Sequence, residues 1–133
     1  MKEVSLESFG KFRSIVEEEL AYRVFERSLR LLGGPRKIVL YQRLTWVSSL
    51  LEAALVLVLH RVFGRTAEEI AEELGISVQT VRNILRADPE KAFQYLEEKI
   101  IKEKEEEDVE MKGVHIAGGL AKRAFEEIEA RGW

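Results

Sequence analysis

The chain has no cysteine, which excludes both a disulfide framework and a thiolate metal site. It has no excess of basic charge either. The net charge is −3, which argues against a non-specific coat on nucleic acid but leaves room for a local basic face. An apolar leader is missing as well: Lys2 and Glu3 run into an amphipathic stretch, so no secretory signal is expected. Proline is scarce, and the two that occur, Pro35 and Pro89, both read as helix punctuation. No nucleophile, base and orienting carboxylate stand together at any recognisable spacing. The expectation is therefore a non-enzymatic protein without a cofactor, with no catalytic and no metal-ligating residue.

What is present is helical periodicity and a divided charge. At 133 residues the chain suits one compact domain with a real core. Residues 1–86 carry 13 basic and 11 acidic side chains, residues 87–133 carry 8 and 13. The high Lys, Glu and Arg content suits a thermophile. The periodicity predicts an all-α bundle, read as an N-terminal amphipathic helix (1–34), a helix-turn-helix core (35–88) and a C-terminal helical extension (89–133).

In the first part, Phe9, Phe12, Ile15, Val16, Leu20, Val24, Phe25, Leu29 and Leu32 recur every three or four positions, as on one buried face. Ser5 or Ser8 is a candidate cap, Gly10 a point where the regular helix is delayed, and Gly33-Gly34-Pro35 the stop. Arg13, Arg23, Arg27 and Arg30 fall on the outer face. They fit a phosphate-contacting or dimerising helix, or more simply a solvated face with i,i+4 pairs.

Residues 36–63 are strongly apolar. Trp46, Val47, Leu50, Leu51, Ala54, Leu55, Val58, Leu59 and Val62 predict a core helix, and the run Ala53–Leu59 is apolar all round. Leu44–Phe63 has about the length of a membrane span. Glu52 near its centre and the soluble motif that follows favour a buried helix instead. His60 reads as a helix-end residue.

The most constrained stretch is Thr66–Arg86. Ile70, Leu74, Val81 and Ile84 fall at helical spacing around a Gly75-Ile76-Ser77 break. Ala71 lets two helices cross closely, and Gly75 supplies a left-handed turn. Thr66 with Glu69 forms a capping box, and Ser77 caps the second helix. These agreeing signals predict a helix-turn-helix. The string from Leu50 to Asp88 resembles the DNA-binding domain at the C-terminal end of bacterial sigma factors, and related response-regulator domains. Glu69, Ile70, Ala71, Leu74, Gly75, Ile76, Ser77, Thr80 and Val81 carry the likeness.

With Val78, Val81, Ile84 and Leu85 turned inward, the opposite face of the second helix points out. Gln79 and Asn83 are then candidates to pair with adenine and Arg82 with guanine. Ser77, Thr80, Arg86, Arg61 and Arg65 are candidate phosphate contacts. Against this stands the acidity of the first helix, which carries Glu68, Glu69, Glu72 and Glu73 where a phosphate backbone normally passes.

Beyond the motif, Asp88-Pro89-Glu90 is a helix start, with Phe93, Leu96, Ile100 and Ile101 as its apolar stripe. Residues 97–112 hold eight acids and four lysines and read as a solvated, fraying helix. They lack the glycine and regular oxygen spacing of a calcium loop. Residues 113–119 read as a short apolar segment closed by Gly118-Gly119, with an amphipathic helix from Leu120 through Ile128. The glycine pair beside Lys122 reads as a turn or as an anion site, and the segment is expected to dock on the core or on a partner. Combined with the helix-turn-helix, this VHIAGGLAK segment resembles small archaeal proteins described as probable regulatory domains, encoded beside KaiC-type ATPases. Two functions follow as expectations. One is a cytoplasmic, dimeric transcriptional regulator on double-stranded DNA. The other is an interaction module for a regulatory protein such as that ATPase.

Overall fold

The computed structural model describes residues 6–40, 49–97 and 113–133. Among them are seven helices and no strand. They are α1 (Leu6–Leu31), α2 (Pro35–Leu40), α3 (Ser49–Arg61), α4 (Ala67–Leu74), α5 (Val78–Arg86), α6 (Pro89–Leu96) and α7 (Gly113–Arg131). The all-α expectation holds. Trp46, Val47, Ile100, Ile101, the charged stretch after Glu97 and Ser5 lie outside the described residues.

The molecule is built around α3. Leu50, Ala53, Ala54 and every residue from Val56 to Leu59 are fully enclosed, as an all-round apolar run requires. Each enclosed leucine or valine contributes roughly 1.5–3 kcal/mol relative to exposure. Helices α1 and α7 supply most of the cover, and α4 and α5 close the remaining side. This helix has 13 residues, and no described helix is long and apolar enough to cross a membrane. At its end His60 bonds through Nδ1 to the Arg65 carbonyl at 2.9 Å, the helix-end role read from the sequence.

Helix α1 corrects the sequence reading in three respects. It is regular through Gly10, and Ser8 lies inside it rather than at its cap. Its stop is as expected, with the N–H groups of Gly33 and Gly34 folding back to Arg30 and Leu29. Val24 and Leu32 are buried and Leu20, Phe25 and Leu29 pack on the core as read, but the buried face also takes in Glu17, Ala21 and Ser28, while Phe12, Ile15 and Tyr22 stand more than half exposed. Ser28 is accommodated because its hydroxyl donates to the Val24 carbonyl at 2.8 Å. Two of the outer arginines make i,i+4 pairs, Arg13 with Glu17 and Arg30 with Glu26. The other two reach the C-terminal segment: Arg27 pairs with Glu127 of α7, and Arg23 donates to the backbone oxygen of Trp133 just beyond it.

The second correction concerns the C-terminal segment. Residues 113–131 form one continuous helix, and Gly118 and Gly119 sit in its interior, fully buried. They are neither a turn nor a helix start, so the anion-site reading of this pair fails. A Cβ on Gly118 would stand 2.9 Å from Ala87 Cβ and 3.2 Å from the Ile84 backbone. A Cβ on Gly119 would stand 2.6 Å from Ala92 Cβ and 2.9 Å from the Asp88 carbonyl oxygen. The glycines are a seat on which the ends of α5 and α6 rest against α7. Ile116, Ala117, Leu120, Ala121, Ala124 and Phe125 complete that contact surface, so the segment docks on the core of its own chain.

Candidate nucleic-acid interface

Local chemistry builds α4 and α5 in the register read from the sequence. Thr66 accepts from the Glu69 N–H at 3.1 Å, and the Glu69 carboxylate accepts from the Thr66 N–H at 3.0 Å. Gly75, at φ 70°, closes α4 by donating to the Ala71 carbonyl. A residue with a Cβ would be strained at this left-handed backbone position. Ser77 then caps α5, its Oγ accepting from the Thr80 N–H at 3.0 Å. Val81 and Ile84 are buried, and Val78 and Leu85 pack on the core at its edge. Helices α4 and α5 with their cover α3 define a helix-turn-helix protein.

The capping box gives a first testable consequence. Hydrogen bonds from Thr66, the backbone N–H foremost, hold the Glu69 carboxyl below its ordinary value of 4.5, and the Arg65 charge helps against a small burial cost. A carboxyl lowered in the folded state adds stability above its unfolded pKa and loses it as pH falls through the folded one. Wild type is therefore expected to exceed Glu69→Gln in melting temperature by a constant margin at neutral pH. That margin should shrink below pH of about 4.5. A margin that does not vary from pH 7 to pH 3 would show that the ionised carboxylate contributes nothing.

On the exposed side of α5, Gln79, Arg82, Asn83 and Arg86 lie at i, i+3, i+4 and i+7, a single stripe. They are linked at the surface. Gln79 Nε2 donates to Asn83 Oδ1 at 3.0 Å, and Arg86 Nη2 donates to the same oxygen at 3.2 Å. Arg82 Nη2 reaches Glu68 on α4 at 2.7 Å. Ser77 and Thr80 sit at the N-terminal end, their hydroxyls 2.8 Å apart. The structure thus brings together all three residues read as base contacts and three of those read as phosphate contacts.

The two remaining arginines differ. Arg61 is exposed, with its guanidinium 5.3 Å from the Phe125 ring centroid. Arg65 is largely enclosed, its side chain 13% exposed, and is held between Glu17 of α1 and Glu73 of α4. Burial alone would depress its pKa, but the hydrogen bond to Glu73 and the charges of both carboxylates outweigh that and raise it. Carboxylates on two other helices already bond its Nη1 and Nη2, so its geometry is that of a strut between α1 and α4. The acidity of α4 is also largely accounted for. Glu69 serves the cap, Glu73 binds Arg65 and Glu68 binds Arg82, which leaves Glu72.

The sequence reading takes Lys122 only as a cation beside the glycine pair and misses its role at this site. Lys122 of α7 donates from Nζ to the carbonyl of Leu85 and, at 3.0 Å, to that of Ala87. It satisfies backbone acceptors that the end of α5 leaves open. Burial, and then the charge of Arg61, push its pKa down, with Glu126 and Asp88 opposing. Its place thirty-five residues beyond Ala87 is why no local pattern disclosed it.

Residues 52–87, about a quarter of the chain, match the family model for sigma-70, region 4, a helix-turn-helix DNA-binding domain. The match begins inside α3 and ends at the last capping residue of α5, so α1, α2, α6 and α7 lie outside it. No curated protein and no solved structure gives a significant match to the chain.

Proposed function

We propose that the protein is a DNA-binding transcriptional regulator that lays α5 in the major groove of double-stranded DNA. The observation that carries this reading is the stripe of Gln79, Arg82 and Arg86, all exposed, with Asn83 half-buried among them, on the second helix of the matched motif. Gln79 and Asn83 have the paired donor and acceptor that adenine presents in the major groove, and Arg82 has the fork that guanine accepts. Ser77, Thr80, Arg86 and Arg61 hold the phosphates on either side and fix the register. Arg82 gives up Glu68 for a base at little cost, since an exposed ion pair is worth about 0–1 kcal/mol. In this reading the protein works in the cytoplasm as a homodimer, and two copies of α5 address half-sites one helical turn apart.

The test is a titration of the purified chain with randomised and selected duplexes across a salt series. Affinity should fall steeply with salt, by about 0.9 in log K per unit of log salt for each phosphate neutralised. Arg82→Ala should relax preference at one base pair by roughly 1–3 kcal/mol. Absence of binding to any duplex at low salt defeats the proposal.

The second reading, an interaction module for a regulatory protein, is favoured by a different feature. Phe12, Ile15 and Tyr22 leave an apolar strip open along α1, and Leu51 and Val62 are also exposed. Such a strip suits a protein neighbour better than DNA. Co-purification of one defined protein partner by a chain that binds no duplex would favour it.

A further inference from the structure

Two features from outside the matched segment converge on the last turn of α5, and a third seats the start of α6 beside it. Lys122 places its ammonium on the carbonyl oxygens of Leu85 and Ala87. Gly118 brings the backbone of α7 against Ile84 and Ala87, and Gly119 brings it against Asp88 and Ala92. Arg86, whose guanidinium bonds Asn83, lies between the two carbonyls that Lys122 grips. A helix end held only by its own hydrogen bonds frays, because its last carbonyls have no intrahelical donors. Here a cation from a distant helix occupies them, the charge a helix C-terminus favours.

We propose that Lys122 is a positioning residue for nucleic-acid recognition, clamping the C-terminal end of α5 so that Asn83 and Arg86 meet the groove in one fixed orientation. This rests on the DNA-binding reading above. On this view α7 belongs to the reading head, which in this chain is larger than the matched segment. The glycine seat sets the distance between α7 and α5, and the clamp sets the order of the final turn. Lys122 itself points at backbone and not at DNA, so it acts through Asn83 and Arg86.

The experiment uses the full chain with Lys122→Met and Lys122→Arg. Each is titrated with a duplex selected by the wild type and with a scrambled duplex at one salt concentration. The readout is the ratio of the two affinities. Partial unfolding weakens both duplexes by the same factor, so the ratio moves only if the bound geometry changes. Expected is a loss of about five- to ten-fold in the ratio for Lys122→Met, the lower end of what one bidentate contact at a base edge, here that of Asn83, is worth. Lys122→Arg, which keeps the cation, should recover to within about three-fold of wild type. An unchanged ratio in Lys122→Met, with the wild type still discriminating between the duplexes, overturns the clamp and leaves the DNA-binding reading standing. A wild type that binds neither duplex removes both.

Discussion

Arg65→Met is expected to cost the folded protein about 3 kcal/mol, the lower end of the range for breaking a buried ion pair. The reason is the group left behind. Glu17 is only 4% exposed and meets Arg65 Nη2 at 3.0 Å. Without the guanidinium its carboxylate keeps the desolvation penalty and is left only the partly exposed Arg13, 3.4 Å away. Glu73, 45% exposed, returns to water and adds little. The double variant Glu17→Gln/Arg65→Met should therefore be more stable than Arg65→Met alone, because it removes the stranded charge. Urea denaturation with the slope unchanged measures both variants against the wild type. A loss below about 1 kcal/mol in the single variant would mean that water reaches Glu17 and that the strut is a surface pair. The consequence extends beyond stability, since Arg65 ties α1 to α4.

Gly119→Ala is expected to destabilise by about 2 kcal/mol, although alanine is the better helix former by about 1 kcal/mol. Packing decides the sign. The new methyl would stand 2.6 Å from Ala92 Cβ and 2.9 Å from the Asp88 carbonyl oxygen. The second of these is backbone and cannot rotate away. Overpacking of this kind costs typically 1–3 kcal/mol, more when main chain must move. Gly10 is the control. It too lies within a helix, but nothing stands within 4 Å of a Cβ built there. Gly10→Ala should therefore stabilise by about 0.5–1 kcal/mol. Opposite signs for the same substitution, read as melting temperatures, would establish the seat; a stabilising Gly119→Ala would refute it.

The two halves of the molecule were not equally legible. Each signal in the helix-turn-helix acts within a few residues of where it is written. Thr66 and Glu69 are three apart, Ser77 and Thr80 likewise, and Gly75 lies four beyond the Ala71 carbonyl that it bonds. Such contacts form once the local backbone does, so spacing in the chain is a sufficient guide. The outward stripe on α5 follows from the same local geometry. On α1 the periodicity identified the helix and most of its inward face, with Val24 and Leu32 buried and Leu20, Phe25 and Leu29 packed on the core, but misjudged the edge of that face. Its apolar residues cover a wide arc, and the part that is enclosed depends on where α3 and α7 lie. Phe12 and Ile15 were left out, while a glutamate was taken in because Arg65, forty-eight residues away, could pair with it.

Gly118-Gly119 shows the same limit more sharply. Two glycines before an amphipathic helix read equally as a turn and as a place where another backbone comes close, because both need the missing side chain. Only the position of α5 and α6 against α7 separates the two. By itself, then, the sequence determined the helix-turn-helix, its caps and the face that α5 turns outward, all consequences of short-range hydrogen bonding and periodicity. The tertiary structure alone decided which apolar residues are core, that Arg65 is a strut, and that Lys122 holds the end of α5. Those are contacts across tens of residues, where burial and charge pairing act between surfaces that only folding brings together.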